Sequence, residues 1–386
     1  SYWNKTKNIY TINFQGYDSS VAEDSLEARN INDELKNFYQ KSKDKMKIFL
    51  INSDNYEKES DGRGNQRYEF EYVGDKEEQI CSPAGRSIQI DENYLKRNPI
   101  QTCNGKAISK LIDYDQNTLN ILVPEQYKKY EKKIVKNYKE NFYFQKVTID
   151  NYFRKNMNKP KNMLKKDKLS IHIIYVKTNQ SYFTYDSDTG NGKNQIIDPI
   201  AVIYTGGVDS SCIASMYAGD TVSGSIYFED NSKKQGYAYR KVEALEQKLG
   251  IYQFNSVTNI YGQAASNLVI IRQKVMWQSA ILLAVILCSI VFITIAVSGY
   301  YFSKQQRLLL EALWGYGYMS SIKEIILVLI GINLCTTAVV YVIKHNVVVW
   351  HFMIIACIIE IIVTKLEYDY LSKKNLHEKI INGEQW

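Results

Sequence analysis

The chain is poor in several residue types. It has five prolines, six cysteines, four histidines and 20 glycines in 386 residues. So little proline and glycine excludes collagen-like and low-complexity sequence. Six cysteines in a chain this long, with no CxxC pair, exclude a disulfide-dense mini-scaffold. His172, His345, His351 and His377 stand at no metal-ligand spacing, and no HExxH motif occurs. No GxxxxGK[ST] loop occurs either, so the chain has no P-loop of its own. Nothing points to a nucleophile-base pair, and the reading is of a chain that is not an enzyme and holds no metal or cofactor.

Charge is also missing, in particular places. From Val275 to Ser303 there is no charged residue, and Lys274 and Lys304 flank the run. A second uncharged run spans 325–343, between Lys323–Glu324 and Lys344. A third, 346–364, is broken only by His351 and Glu360. Residues 275–386 hold eight Lys/Arg and seven Asp/Glu, against 48 and 41 in the whole chain. The mean hydropathy of −0.32 is therefore a sum over two environments. Each run is long enough to cross a hydrocarbon layer of ~30 Å at ~1.5 Å per residue. Trp277, Tyr300, Tyr301, Tyr341 and Trp350 sit near the run ends, where an interfacial aromatic belt would lie.

Orientation follows from the short flanks. Lys304, Arg307 and Lys323 lie in the segment after the first run, and Lys365, Lys373, Lys374 and Lys379 follow the third. The positive-inside rule puts both in the cytoplasm and residues 1–274 outside. The first residue is Ser1, so a cleaved signal or a first transmembrane helix is expected before it.

The part before the runs reads as an α/β domain. Strand signals fall at Tyr10–Phe14, Lys47–Asn52, Tyr68–Val73, Leu119–Val123, Ser170–Lys177, Ser181–Tyr185, Ile200–Tyr204 and Gly224–Phe228. Helical signals fall at 21–43, 125–140 and 233–249. The first lies between two strands, which predicts a strand-helix-strand unit. From Asn259 the pattern is helical and continues into the first run, as a stalk would.

Three features of this domain invite functional readings. Thr205–Ser211, TGGVDSS, follows an apolar strand and matches the spacing of an SGGxDS pyrophosphate-binding loop. Too little chain follows it for a nucleotide domain. The residues fit better as a turn whose glycines permit positive φ and whose Asp and Ser cap the next element. Residues 125–168 hold 14 Lys/Arg against five Asp/Glu. That surplus suits a solvated helix face, or attraction to anionic lipid, wall polymers or an acidic peptide. An outward domain excludes nucleic acid. Cys81 and Cys103 are a possible disulfide in an oxidising exterior. In the runs, Glu360 is costly in hydrocarbon, with snorkelling or a Lys partner as its simplest resolution. Asn333 is a candidate for a helix-helix contact.

The segment SKQQRLLLEALWGYGYMSSIKEI, 303–325, has a charged start, an apolar helix, a Leu-x-Gly-Tyr-type turn and a return to apolar sequence. With the layout above, it resembles the MacB/FtsX-like class of ABC transporter permeases. Residues 313–318, LWGYGY, the Lys/Asn/Tyr-rich domain and the C-terminal KIINGEQW are similar to the bacteriocin-associated integral membrane proteins of Gram-positive bacteria. The resemblance implies an α/β extracellular domain plus an α-helical transmembrane domain. Three spans are visible and a fourth N-terminal span is expected but absent from the chain. It divides the chain into an outer domain (1–258), a stalk (259–274), spans at 275–303, 325–343 and 346–364, a cytoplasmic coupling segment (304–324) and a tail (365–386).

The implied partners are an ABC ATPase that binds ATP and Mg, a second permease copy or homologous half, a peptide substrate and the lipid bilayer. The implied setting is the plasma membrane of a Gram-positive bacterium, and the implied role is bacteriocin export or immunity. ATPase docking falls to Leu308, Leu309, Ala312, Leu313, Trp314, Gly315, Tyr316 and Gly317. An amphipathic linker lying on the bilayer is the plainer reading of the same residues. A membrane-anchored ligand sensor acting through a partner is the rival function. A pyrophosphatase-like enzyme built on TGGVDSS is a remote one.

Overall fold

The computed structural model of the chain describes residues 2–14, 21–22, 25–60, 65–217, 224–232, 234, 236–316, 318–344 and 348–382. It divides into two units, Ser1–Leu268 and Val269–Trp386. The first is a mixed α/β unit. Its strands are β1 (Ile9–Phe14), β2 (Phe49–Asn52), β3 (Lys58–Ser60), β4 (Gln66–Tyr68), β5 (Ser87–Ile90) and β6 (Thr118–Pro124). They continue with β7 (Ser170–Val176), β8 (Ser181–Phe183), β9 (Gln195–Ile197), β10 (Ile200–Ile203), β11 (Ile226–Glu229) and β12 (Phe254–Asn259). Its helices are α1 (Leu26–Ser42), α2 (Lys76–Cys81), α3 (Glu92–Arg97), α4 (Glu131–Tyr143), α5 (Ile149–Asn156), α6 (Ser210–Ala214) and α7 (Tyr237–Leu249).

Eight strands form one sheet in the order β12-β1-β11-β2-β5-β10-β6-β7, and two hairpins, β3-β4 and β8-β9, stand apart. Among the described residues, only β10-β5 and β6-β7 pair in parallel. The strand-helix-strand unit is present but split. β11 lies between β1 and β2 and is antiparallel to both. The period-2 pattern decides which layer each residue joins. Phe49 and Ile51 of β2 face a core with Ile88, Ile90, Tyr94 and Tyr182, while Leu50 faces the opposite one with Leu35, Phe38 and Ile213. α1, α6 and α7 cover one end of that second face. α4 covers the other end through Ile134, Tyr138 and Phe142.

Three expectations change. Of Tyr68–Val73, only Tyr68 is strand, and Glu69–Tyr72 is a 3-10 turn. The Glu71 carboxylate accepts the Tyr68 N–H at 3.1 Å, and Phe70 turns inward beneath the Arg86 guanidinium. The helix expected over 125–140 starts as a 3-10 turn at Glu125–Tyr130. It runs through α4 into a π turn at Phe144–Thr148 and on into α5. Finally, Cys81 and Cys103 are not bonded. Cys81 is buried at the end of α2 in the core beneath α4, with Leu119 and Ile121. Cys103 is exposed near the sheet edge, where its N–H donates to the Tyr175 carbonyl at 3.0 Å.

The second unit is helical. α8 (Ile260–Ser303) starts in the first unit, and α9 (Gln305–Leu313), α10 (Tyr318–Lys344) and α11 (Val348–Asn382) follow. Among the described residues, two stretches, Ile260–Ser303 and Ile322–Val342, are long and apolar enough to cross a membrane. The third apolar run lies in α11, which is not one of the two. At 44 residues α8 is about 66 Å long, twice the ~30 Å hydrocarbon layer. Ile293 and Val297 of α8 pack with Ile322, Ile325 and Ile326 of α10.

Candidate functional site

Residues 304–316, within the expected coupling segment, form an elbow. α9 ends because Gly315 takes φ +78°, where an L side chain is strained. The Tyr316 N–H then reaches back to the Glu311 carbonyl at 2.9 Å, which satisfies a terminal acceptor. A Cβ at Gly315 would meet nothing within 4 Å, so conformation and not space selects glycine there. The elbow is tied at both sides. Arg307 Nε donates to Glu311 Oε1 at 2.8 Å, and its Nη1 donates to Glu324 Oε1 of α10 at 2.9 Å. Tyr300 of α8 donates to the other Glu324 oxygen at 3.1 Å. One carboxylate thus joins three helices.

The docking candidates separate. Leu308 is 2% exposed and packs with Tyr301 and Leu371, so it holds the elbow together and offers no surface. Tyr301 is buried there too, at 2%, and is no belt residue. Trp314 is 77% exposed and Tyr316 54%. Leu310, not among the candidates, is 57% exposed one turn before Trp314. Its i, i+4 spacing from Trp314 is the signal that would have found it. The side chains of Leu309, Ala312 and Leu313, and all of Gly317, lie outside the described residues, as do 345–347 and 383–386.

Asn333 and Glu360 come together. Asn333 Nδ2 donates to Glu360 Oε2 at 2.7 Å, across α10 and α11, and lies 3.7 Å from Cys357 Sγ. The carboxylate is thus met by an amide, where the expectation is snorkelling or a lysine partner.

TGGVDSS folds as a strand-to-helix turn. Gly206 has φ +97°, and a Cβ at Gly207 would stand 2.8 Å from the Gln116 carbonyl. Asp209 caps α6, with Oδ1 accepting the Ser211 N–H at 3.0 Å and its hydroxyl at 2.8 Å. Oδ2 accepts Arg29 Nη1 at 2.6 Å, and Asp33 and Asp150 flank the same guanidinium at 3.5 and 3.7 Å. Lys36 donates to the Val208 carbonyl at 2.7 Å and Lys146 to the Gly207 carbonyl at 2.8 Å. Burial pushes both lysines below their usual range. The Asp209 carboxylate and the Gly207 and Val208 carbonyls are engaged by the chain itself, and α6 has only five residues, as in a turn that caps the next element. Arg29, Lys36 and Lys146 come from distant elements and leave no local signal.

Part of the basic surplus is paired: Lys133 with Glu77 at 2.8 Å, Arg154 with Asp150 at 2.8 Å and Lys166 with Glu140 at 3.0 Å. No group of three or more His, Cys, Asp or Glu among the described residues could hold a metal. Comparison with protein families, with curated proteins and with solved structures gives no match.

Proposed function

We propose that the chain is the membrane permease subunit of an ABC transporter, driven by a separate ATPase and serving peptide export or immunity. The observation that carries this reading is the elbow. It is a short helix ending in an exposed Leu310, Trp314 and Tyr316 and tied through Arg307 and Glu324 to the apolar helices before and after it. Such a surface suits a helix-in-groove partner. Support for the membrane comes from α8, whose most apolar stretch is only 11% buried although it is apolar around its whole circumference. A core helix of a soluble protein would bury that surface. On this reading α11 supplies a third crossing, the elbow and tail are cytoplasmic, and the α/β unit is outside. Two copies or two homologous halves assemble. Force on the elbow passes along α8, which is one continuous helix from Ile260 to Ser303.

The test is recovery of an ATPase on the tagged protein purified from its own cells, quantified by mass spectrometry. Trp314→Ala and Leu313→Asp should each cut recovery at least about tenfold, the equivalent of ~1.4 kcal/mol. Unchanged recovery in both would refute docking at the elbow.

A further inference from the structure

On the helical side of the sheet a cleft of about 500 Å3 is lined by β5, α4 with its π turn, and α6. That size falls within the ~300–1,000 Å3 usual for small-ligand sites. Three side-chain amides line it: Gln89 from the sheet, and Asn141 and Gln145 from the helix and its π turn. None of the three makes a hydrogen bond to another described side chain or backbone group. Each amide offers two donors and an acceptor, which matches a hydroxyl that both gives and accepts.

The lining offers no free charge. Glu140 is its one ionised group and is paired with Lys166 at 3.0 Å. Phe144, also in the lining, is 54% exposed. An exposed aromatic ring beside neutral amides suits a ligand with one apolar C–H face and a hydroxylated rim. The π turn Phe144–Thr148 starts at this residue and shifts Phe144 and Gln145 from regular α-helical register. Such turns recur at functional sites. The Cys212 thiol also faces the cleft, and burial pushes it up to about 12, with Asp209 adding to the shift. It stays protonated, which suits reversible binding and not covalent chemistry.

We propose that this cleft binds a neutral polyhydroxylated ligand, one or two sugar units of a glycan. The wall and a soluble oligosaccharide are both sources of that chemistry. The test is calorimetric titration of the whole protein in nanodiscs with three probes: chitotriose, maltotriose and tri-alanine. Chitotriose carries the N-acetyl groups of wall glycan and maltotriose does not. One trisaccharide should bind, and Phe144→Ala and Gln145→Ala should each raise its Kd at least about tenfold. Lys248→Ala, on α7 and outside the lining, should leave it unchanged. Phe144 is exposed, and Gln145 holds the Asp209 N–H through its backbone carbonyl at 3.1 Å, so both variants keep the contacts that maintain the fold. No binding of either trisaccharide at about 10 mM, equal affinity in wild type and both variants, or tighter binding of tri-alanine would each overturn the proposal.

Discussion

Replacing Asp209 by Ala should loosen the helical face of the first unit without abolishing its fold. The carboxylate is 1% exposed and does two jobs. It caps α6, and loss of such a cap costs ~1 kcal/mol. It also neutralises Arg29, whose side chain is only 17% exposed. Breaking a buried pair from one side costs ~3–5 kcal/mol when the survivor is left alone. Arg29 is not left alone, because Asp33 and Asp150 remain at 3.5 and 3.7 Å and its guanidinium stacks on Phe153. About 2 kcal/mol is a fair share, which gives ~3 kcal/mol in all.

The converse change is harsher. Arg29→Met leaves a buried carboxylate with only Ser211 as donor, so it should cost at least as much. Asp209→Asn keeps the cap through Oδ1 but turns an amide N–H toward Arg29, so it should cost the pair's ~2 kcal/mol and not the cap's ~1. Hydrogen exchange on the whole protein reads this directly, since local opening is set by local stability. Peptides covering 26–42 and 205–216 should lose ~100-fold protection in Asp209→Ala, at ~1.4 kcal/mol per decade. Protection within about threefold of wild type, or an Asn variant as damaged as the Ala one, would refute the account.

Other expectations are simpler to check. Maleimide added to the native protein without reductant should label the exposed Cys103 quickly and leave the buried Cys81 unmodified. Cys212, whose thiol is pushed up to about 12 by burial, should react slowly at neutral pH. A disulfide between Cys81 and Cys103 would instead block both until reduction. In the helical unit, Asn333→Leu removes the Glu360 donor and should lower Tm in detergent, by the equivalent of ~0.6–2 kcal/mol. Glu360→Gln keeps an amide-amide bond and should shift Tm by less than half as much, so equal shifts would refute the pair. Burial raises the Asp91 carboxyl, against the pull of Lys43, the Tyr94 and Leu50 N–H groups and the Tyr39 hydroxyl. Its folded value therefore lies above the unfolded ~3.9. Its contribution is complete below that unfolded value and declines as pH rises through the folded one. Wild type should thus lose Tm relative to Asp91→Asn on raising the pH from 4, and a growing wild-type advantage would contradict it.

What can be read from sequence depends on how many partners a residue could have. The long strands β1, β6 and β7 announce themselves because each carries its own alternation or apolar run. β5, SIQI, does not. It is four residues long, its Gln89 breaks the apolar pattern, and it is held between β2 and β10 from far along the chain. β12 is similar, since its polar FNSVTN becomes a strand against β1, where Asn13 donates to Ser256 and Thr258. At the elbow the turn is legible at Gly315, a local conformational need, while the inward packing of Leu308 depends on Tyr301 and Leu371. Arg29 meets Asp209 across 180 positions, and water would have served either residue equally well, so only topology decides that pair. Asn333 and Glu360 are the opposite case. Within apolar runs there are few polar partners, so each polar group narrows the other's choices. Both residues stand out in the sequence, and the structure joins them at 2.7 Å. Pairing is therefore most readable from sequence where the surroundings are least able to substitute for the partner.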